Sequence, residues 1–328
     1  MTRVQLKTPP AKPAVSFIPS GGTMLDLVLG GGWAEGRVSN IVGDRSAGKT
    51  LLAIEACANF AALHGAANIR YAEAEAAFDI SYARTMGMPE GVSYTDEEAP
   101  VRTVEDLNRD ITQFLAKQNG RDPCLYILDS LDALSDDAEM GRELGEATYG
   151  TGKAKAMSEL FRRQTAAFRD KKCSFIVISQ IRDKIGVTFG ETKTRSGGRA
   201  LDFYCSQVVW LAEIKKLERT VTGVKRMVGV QVEVRNKKNK VGKPFRRAEF
   251  SILFNYGIDD ELSMLDWLAK NGGAAPADLK ELGRLLTTAR TARNRAEITN
   301  IWHTLNQLTT KRWNEIENAL EPPMRKYS

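Results

Sequence analysis

Histidine is almost missing from this chain: His64 and His303 are its 2 copies in 328 residues. A histidine triad or histidine metal centre is therefore not expected, and carboxylates are left as candidate bases. Cysteine is scarce too. Cys57, Cys124, Cys173 and Cys205 lie far apart with no Cys-x-x-Cys pair, so they read as buried thiols, not as a zinc site or a disulfide framework. No stretch approaches the roughly 20 apolar residues that span a bilayer, and the first residues, with Lys7, Pro9, Pro10, Lys12 and Pro13, hold no apolar signal core. The expectation is a cytoplasmic protein without membrane contact. No internal repeat is apparent. A hydrophobic content of 42% supports a substantial core, and the net charge of +6 is compatible with a polyanionic partner without establishing one.

Against these absences stands the run Gly43-Asp44-Arg45-Ser46-Ala47-Gly48-Lys49-Thr50. A chain that turns twice on glycine and then presents Lys-Thr builds a cradle for a triphosphate. Its backbone N–H groups point at phosphate oxygens, and the following helix offers its positive end. Lys49 reaches the β- and γ-phosphates, and Thr50 ligates Mg²⁺. The flanks fit, because Val38 to Val42 has the pattern of a buried strand and Leu51, Leu52 and Ile54 open a helical one. ATP and Mg²⁺ are the expected cofactors. Cys124 to Asp129 is an apolar strand ending in aspartate, a Walker B arrangement that sets Asp129 beside the metal through a water.

The rest of the chain alternates. Candidate strands are Val38 to Val42, Ile69 to Ala72, Leu125 to Leu128, Phe175 to Ser179, Val208 to Leu211, Val230 to Arg235 and Ala248 to Leu253. Helical patterns intervene after the phosphate loop, at Ile80 to Met86, Val104 to Lys117 and Lys153 to Arg169. This predicts an α/β fold with a mainly parallel sheet flanked by helices, antiparallel additions late in the chain, and chemistry at the carboxyl ends of the strands. Three units are expected: a basic, proline-containing arm over 1–17, a core over 18–268 and a small helical domain over 269–328. The last carries three stripes, at Leu279 to Leu286, Ile298 to Leu305 and Trp313 to Leu320.

Tyr71-Ala72-Glu73-Ala74-Glu75-Ala76-Ala77-Phe78-Asp79, with Ile80-Ser81-Tyr82-Ala83-Arg84, resembles the Asp-Ala-Glu-x-Ala-Leu-Asp-Pro-x-Tyr-Ala stretch of bacterial RecA recombinases. The resemblance runs in unbroken order over roughly 18–260, through Ser20-Gly21-Gly22-Thr23, Leu29-Gly30-Gly31-Gly32, the phosphate loop, Asp129 to Leu134, Ser179 to Arg182 and Asn239 to Phe245. It implies a RecA-like P-loop ATPase core in which Glu75 is the general base, Asp79 an adenine contact and Tyr82 a ring stacked on the base. Glu73 stands where the family has aspartate, which leaves Glu73 as an alternative to Glu75. The segment from Ser179 to Gly190 resembles the family's second DNA-binding loop. There Gln180 senses the γ-phosphate, Arg182, Lys184, Arg195 and Arg199 meet DNA phosphates, and Ile185, Val187 and Phe189 wedge against bases. Glu139 to Gly150 resembles the first DNA loop, with Arg142 and Tyr149 assigned to DNA, a subunit contact being the alternative. Asn236-Lys237-Lys238-Asn239-Lys240 matches a Lys-Asn-Lys signature whose lysines, here Lys238 and Lys240, reach the ATP of the neighbouring subunit.

The function so implied is a DNA-dependent ATPase of recombination and repair. It would form a helical filament with itself on single-stranded DNA, pair it with duplex DNA and exchange strands. A ring helicase or a regulatory recombinase paralogue is the alternative, and a metabolic P-loop kinase a third reading. RecA chains start with a helix that packs on the adjacent subunit. Here a short arm precedes Ile18, so the joint is expected elsewhere, for example as a strand that Val15 to Ile18 adds to a neighbour. Arg325 and Lys326 replace the family's acidic tail, leaving the last domain either a duplex-DNA surface or a plain solvated face.

Overall fold

A computed structural model describes residues 15–75, 78–95, 100–141, 152–183, 193–195 and 198–323. In chain order the strands are β1 (Phe17–Ile18), β2 (Trp33–Ala34), β3 (Val38–Gly43), β4 (Ile69–Glu73), β5 (Ser93–Tyr94), β6 (Cys124–Asp129), β7 (Cys173–Asp183), β8 (Lys193–Arg195), β9 (Gln207–Val221), β10 (Val224–Asn239), β11 (Arg247–Leu253) and β12 (Gly257–Asp259). The helices are α1 (Thr23–Leu29), α2 (Lys49–His64), α3 (Ile80–Thr85), α4 (Val104–Ala116), α5 (Asp137–Met140), α6 (Gly152–Asp170), α7 (Gly198–Tyr204), α8 (Asp260–Asn271), α9 (Pro276–Thr291) and α10 (Arg295–Ala319).

The main sheet runs β12-β11-β10-β9-β3-β7-β6-β4-β5, with β8 paired to β7. From β9 to β5 the neighbours are parallel, and β10, β11 and β12 continue antiparallel beyond β9. Every residue of β3 and β6 is buried, as parallel strands covered on both faces require. One face packs on α2, through Leu52, Ile54 and Phe60, and continues into α8, α9 and α10. The other packs on α4 and α6, through Leu107, Ile111, Leu160 and Phe161. Among the described residues no helix is long and apolar enough to cross a membrane.

Two expectations change. Phe17–Ile18 pairs antiparallel with Trp33–Ala34 of the same chain, so one of its edges is used internally. The second and third C-terminal stripes lie on one 25-residue helix, α10, because Asn306 to Arg312 contains neither glycine nor proline to break it. Residues 269 onward follow a turn at Gly272 and Gly273, but their apolar side chains share one core with the sheet: Leu279, Leu286, Ile301, Leu305 and Trp313 cluster with Met24, Leu25 and Leu268. Buried Asp260 fastens this junction. Its carboxylate accepts from Thr23 N–H at 2.7 Å, Thr23 Oγ1 at 2.7 Å and Trp302 Nε1 at 2.7 Å, joining α1, α8 and α10.

Near this junction two carboxyls lie in apolar surroundings. The Glu55 carboxyl is wedged between Gly21 and Gly257, where a Cβ on either glycine would come within 2.7 Å of it. Burial pushes the carboxyls of Glu55 and Asp26 up to about 7, with a smaller contribution from Asp260 nearby. The folded chain thus holds protons that the unfolded chain has released, so stability falls as pH rises from the ordinary carboxylate range to about 7, then levels. Thermal melts between pH 5 and 8 should show this decline, and Glu55→Gln, neutral at every pH, should make it shallower, with Asp26 supplying what remains. A wild-type midpoint that climbs across this window would contradict the assignment.

Candidate active site

Parallel register aligns the carboxyl ends of the strands. Gly43 of β3 is opposite Gln180 of β7, and Glu73 of β4 is opposite Asp129 of β6. In the order β3-β7-β6-β4, four segments distant in sequence thereby deliver the phosphate loop, Gln180, Asp129 and the Glu73 to Glu75 turn to one edge. The sequence indicated each strand end but not this order.

The phosphate loop closes tightly onto α2. Gly48, its N-cap, has φ of 84°, a conformation that demands glycine, and a Cβ there would also displace Ile252 Cδ1, 2.4 Å away. No side chain caps α2, which leaves its first N–H groups for an anion. Lys49 Nζ donates to the Asp44 carbonyl at 2.7 Å, spanning the loop. Burial holds the Lys49 ammonium below its ordinary range, opposed by the carboxylates of Asp129, Glu75, Asp132 and Asp44. A partly desolvated cation of this kind favours a polyanionic ligand.

Thr50 Oγ1 donates to Asp129 Oδ2 at 2.8 Å. Burial raises the Asp129 carboxyl, and donation from Thr50 and Tyr71 opposes the rise. Among the described residues no group of three or more His, Cys, Asp or Glu is disposed to hold a metal alone. One hydroxyl and one carboxylate beside an anion cradle suit a hard cation that takes its remaining ligands from phosphate oxygens and water, the usual manner of Mg²⁺. The residues present fit that group.

Glu75 is the better placed of the two carboxylates. Its Oε1 accepts from Ser130 Oγ at 2.5 Å and from Gln180 Nε2 at 3.1 Å. Glu73 instead accepts the Glu75 N–H at 2.8 Å, shaping the turn. Gln180 is held at its main chain as well, its N–H donating to Asp132 Oδ2 at 2.6 Å. Ser130 and Asp132 did not figure as site residues in the sequence reading, although they follow Asp129 directly.

Beside the loop lies a cavity of about 420 Å³. Asp79 caps α3, its Oδ1 accepting the N–H groups of Ser81 at 2.8 Å and Tyr82 at 3.1 Å, and this aims Tyr82, 51% exposed, at the cavity. The opposite wall is apolar, made by Val230, Ile252 and Phe254. Sequence reasoning missed that wall, since nothing local marks residues so far from the loop as its neighbours. A flat base fits between Tyr82 and such a surface.

The DNA assignments divide. Arg142, Tyr149, Lys184, Ile185, Val187 and Phe189 lie outside the described residues. Arg182 falls in β7 and Arg199 in α7. Arg195 requires correction as a DNA contact: its side chain is 6% exposed and turned inward, paired with Asp202 at 2.5 Å and donating to Asn40 Oδ1. An arginine so enclosed organises the root of the β7 and β8 hairpin instead of facing a polymer.

Lys238 and Lys240 are not brought to the phosphate loop of their own chain. Asn239 is level with Gln207, which is level with Ser39 at the amino end of β3. Gly43 lies four residues further, about 13 Å at the usual rise of a strand. Both lysines donate to main-chain carbonyls at the end of α7: Lys238 to Asp202 and, at 3.2 Å, to Phe203, and Lys240 to Phe203 at 2.9 Å. Burial, then the neighbouring Lys240, lowers the Lys238 ammonium.

The family model for the RecA N-terminal domain matches residues 4–259. Protein RecA of Mycolicibacterium gilvum (strain PYR-GCK) is 35% identical over 289 residues, 85% of this chain and 78% of that protein. Protein RecA of Nocardia farcinica (strain IFM 10152) is 36% identical over 266 residues, 80% of this chain and 72% of that protein. Among solved structures, the crystal structure of the RadB recombinase superposes with a TM-score of 0.53 at 17% identity, covering 74% of this chain and 99% of that one, which speaks for the fold alone. With a match that continues from the N-terminal arm to the last strand of the sheet, through the very turn that carries Glu75, the chain belongs to the RecA family.

Proposed function

We propose that this protein is an ATP-dependent DNA recombinase that assembles with itself on single-stranded DNA, pairs it with a duplex and exchanges strands. The observation that carries the reading is the Gln180 amide on Glu75 Oε1 at 3.1 Å. Gln180 stands one residue before β7 pairs with β8 at Ile181, so the residue whose side chain touches the candidate base is also at the root of the segment between those strands. A γ-phosphate competing for that amide would change how the root is held, and an order-disorder change in the segment would follow.

In the proposed chemistry Lys49 and the N–H groups of α2 bind the phosphates, Thr50 and Asp129 hold Mg²⁺, and the base lies between Tyr82 and Phe254. Bound Mg²⁺ supplies charge neutralisation at the transferred group. Glu75 orients a water and takes its proton, while Ser130 keeps the carboxylate turned toward the phosphate side. Lys238 and Lys240, far from their own loop, serve the nucleotide of a neighbouring copy, which makes hydrolysis depend on assembly. The unpaired-strand site is assigned to the segments around 142–150 and 182–192, with Arg182, Lys184, Arg199, Arg142 and Tyr149, and the working place of the protein is the cytoplasm.

Glu75→Gln should retain nucleotide and DNA binding while hydrolysis falls by about 10²- to 10⁴-fold; turnover at the wild-type rate would remove Glu75 from its role. Lys238→Ala should lose hydrolysis yet bind nucleotide normally as an isolated subunit, and mixing it with a Lys49→Ala chain should restore part of the rate, because each copy then supplies what the other lacks. Lys184→Ala should reduce the salt dependence of single-strand binding by about one counterion. Electron microscopy with single-stranded DNA and a slowly hydrolysed ATP analogue should show helical filaments; closed six-membered rings would favour a helicase-like motor instead.

A further inference from the structure

Asp129 accepts two hydrogen bonds, and both reach the same oxygen. Thr50 Oγ1 donates to Oδ2 at 2.8 Å and so does Tyr71 Oη, also at 2.8 Å, while among the described residues no donor reaches Oδ1. Tyr71 is on β4, two residues before Glu73, which is level with Asp129. Alternation along the strand puts Tyr71 and Glu73 on one face, so the tyrosine hydroxyl approaches the carboxylate from the sheet side. Its ring is fully buried and stacked on Phe78 at 4.8 Å between centroids, and Phe78 in turn lines the cavity beside Tyr82.

We infer that Tyr71 is a positioning residue for the cation site, holding the Asp129 carboxylate so that Oδ1 is presented to Mg²⁺ or its water while Oδ2 stays bonded within the protein. A carboxylate on a short side chain at a strand end rotates unless both torsions are restrained. Two hydroxyl donors from different elements, α2 and β4, restrain it. Thr50 alone does not suffice, because its hydroxyl must turn lone pairs toward the cation while its single proton remains on Asp129. Tyr71 has no such second duty. The phenol is also the rigid link between the metal side and Phe78 on the base side, so the two halves of the nucleotide site share one wall. Outer partners of this kind alter metal affinity by about 10- to 100-fold when removed; the lower end is expected here, because Asp129 would act on the cation through a water.

The inference rests on the Mg²⁺-nucleotide reading above and is tested by binding, not turnover. A fluorescent ATP analogue is titrated without divalent ions and then over a Mg²⁺ series, and Mn²⁺ bound to the nucleotide complex is followed by electron paramagnetic resonance. Tyr71→Phe keeps the ring and its stack on Phe78 and removes only the hydroxyl. It should leave affinity without divalent ions unchanged and raise the Mg²⁺ concentration for half-saturation about tenfold. Tyr94→Phe is the control: Tyr94 lies in the same aromatic cluster, 6.1 Å from Tyr71, and among the described residues its buried hydroxyl has no partner. It should match wild type. An unshifted Mg²⁺ dependence in Tyr71→Phe, or an equal shift in both variants, overturns the assignment of Tyr71 alone. Wild-type protein that binds the analogue with no dependence on Mg²⁺ overturns the cation site itself, and the inference with it.

Discussion

A buried carboxylate at the end of β6 is the constraint around which this molecule is arranged. Asp129 sits in a position where burial disfavours its charge, and the structure answers with hydroxyl donors from the phosphate-loop helix and from the adjoining strand. Those donors are in place only because β4 and β6 are in register and α2 lies across the sheet. Tyr71 meets Asp129, while Ser130 and Asp132 just after it meet Glu75 and Gln180, so two hydrogen-bonded groups adjoin at the end of β6.

A second arrangement follows from strand direction. Antiparallel β10 carries its lysines to the amino edge of β3, away from the loop at its carboxyl edge. One chain therefore presents an anion cradle at one edge and a cationic cluster at the other. A lone chain does not bring the two together. The C-terminal helices are tied to the sheet, since Asp260 joins Thr23 of α1 to Trp302 of α10 and Arg290 pairs with Asp259 at 2.6 Å.

Much of the fold was legible because strand patterning is local. Val38, Ile41 and Val42 frame one short run and Leu125 to Leu128 form another, and each proved a fully buried strand of a parallel sheet. Amphipathic spacing likewise placed α4, whose Thr103 and Asp106 form a capping box. Where local pattern was silent, expectation and structure parted. The stripes at Ile298 and Trp313 gave no sign that their connection stays helical, Phe17 and Ile18 gave no sign of pairing with Trp33 and Ala34, and Arg195 looked like any surface arginine in a basic loop. Its pairing with Asp202 depends on α7 folding back against β8.

By itself the sequence determined the chemistry available: a glycine-framed loop with Lys49 and Thr50, an aspartate at a strand end, and two glutamates in one turn. Those are properties of contiguous residues, where spacing along the chain is spacing in space. The tertiary structure decided which of them act together, namely that Glu75 and not Glu73 meets Gln180, that an apolar wall from β10 and β11 faces Tyr82, and that Tyr71 supports Asp129. Register between strands far apart in sequence settles these, and register is set by the packing of both sheet faces at once, which no single segment encodes.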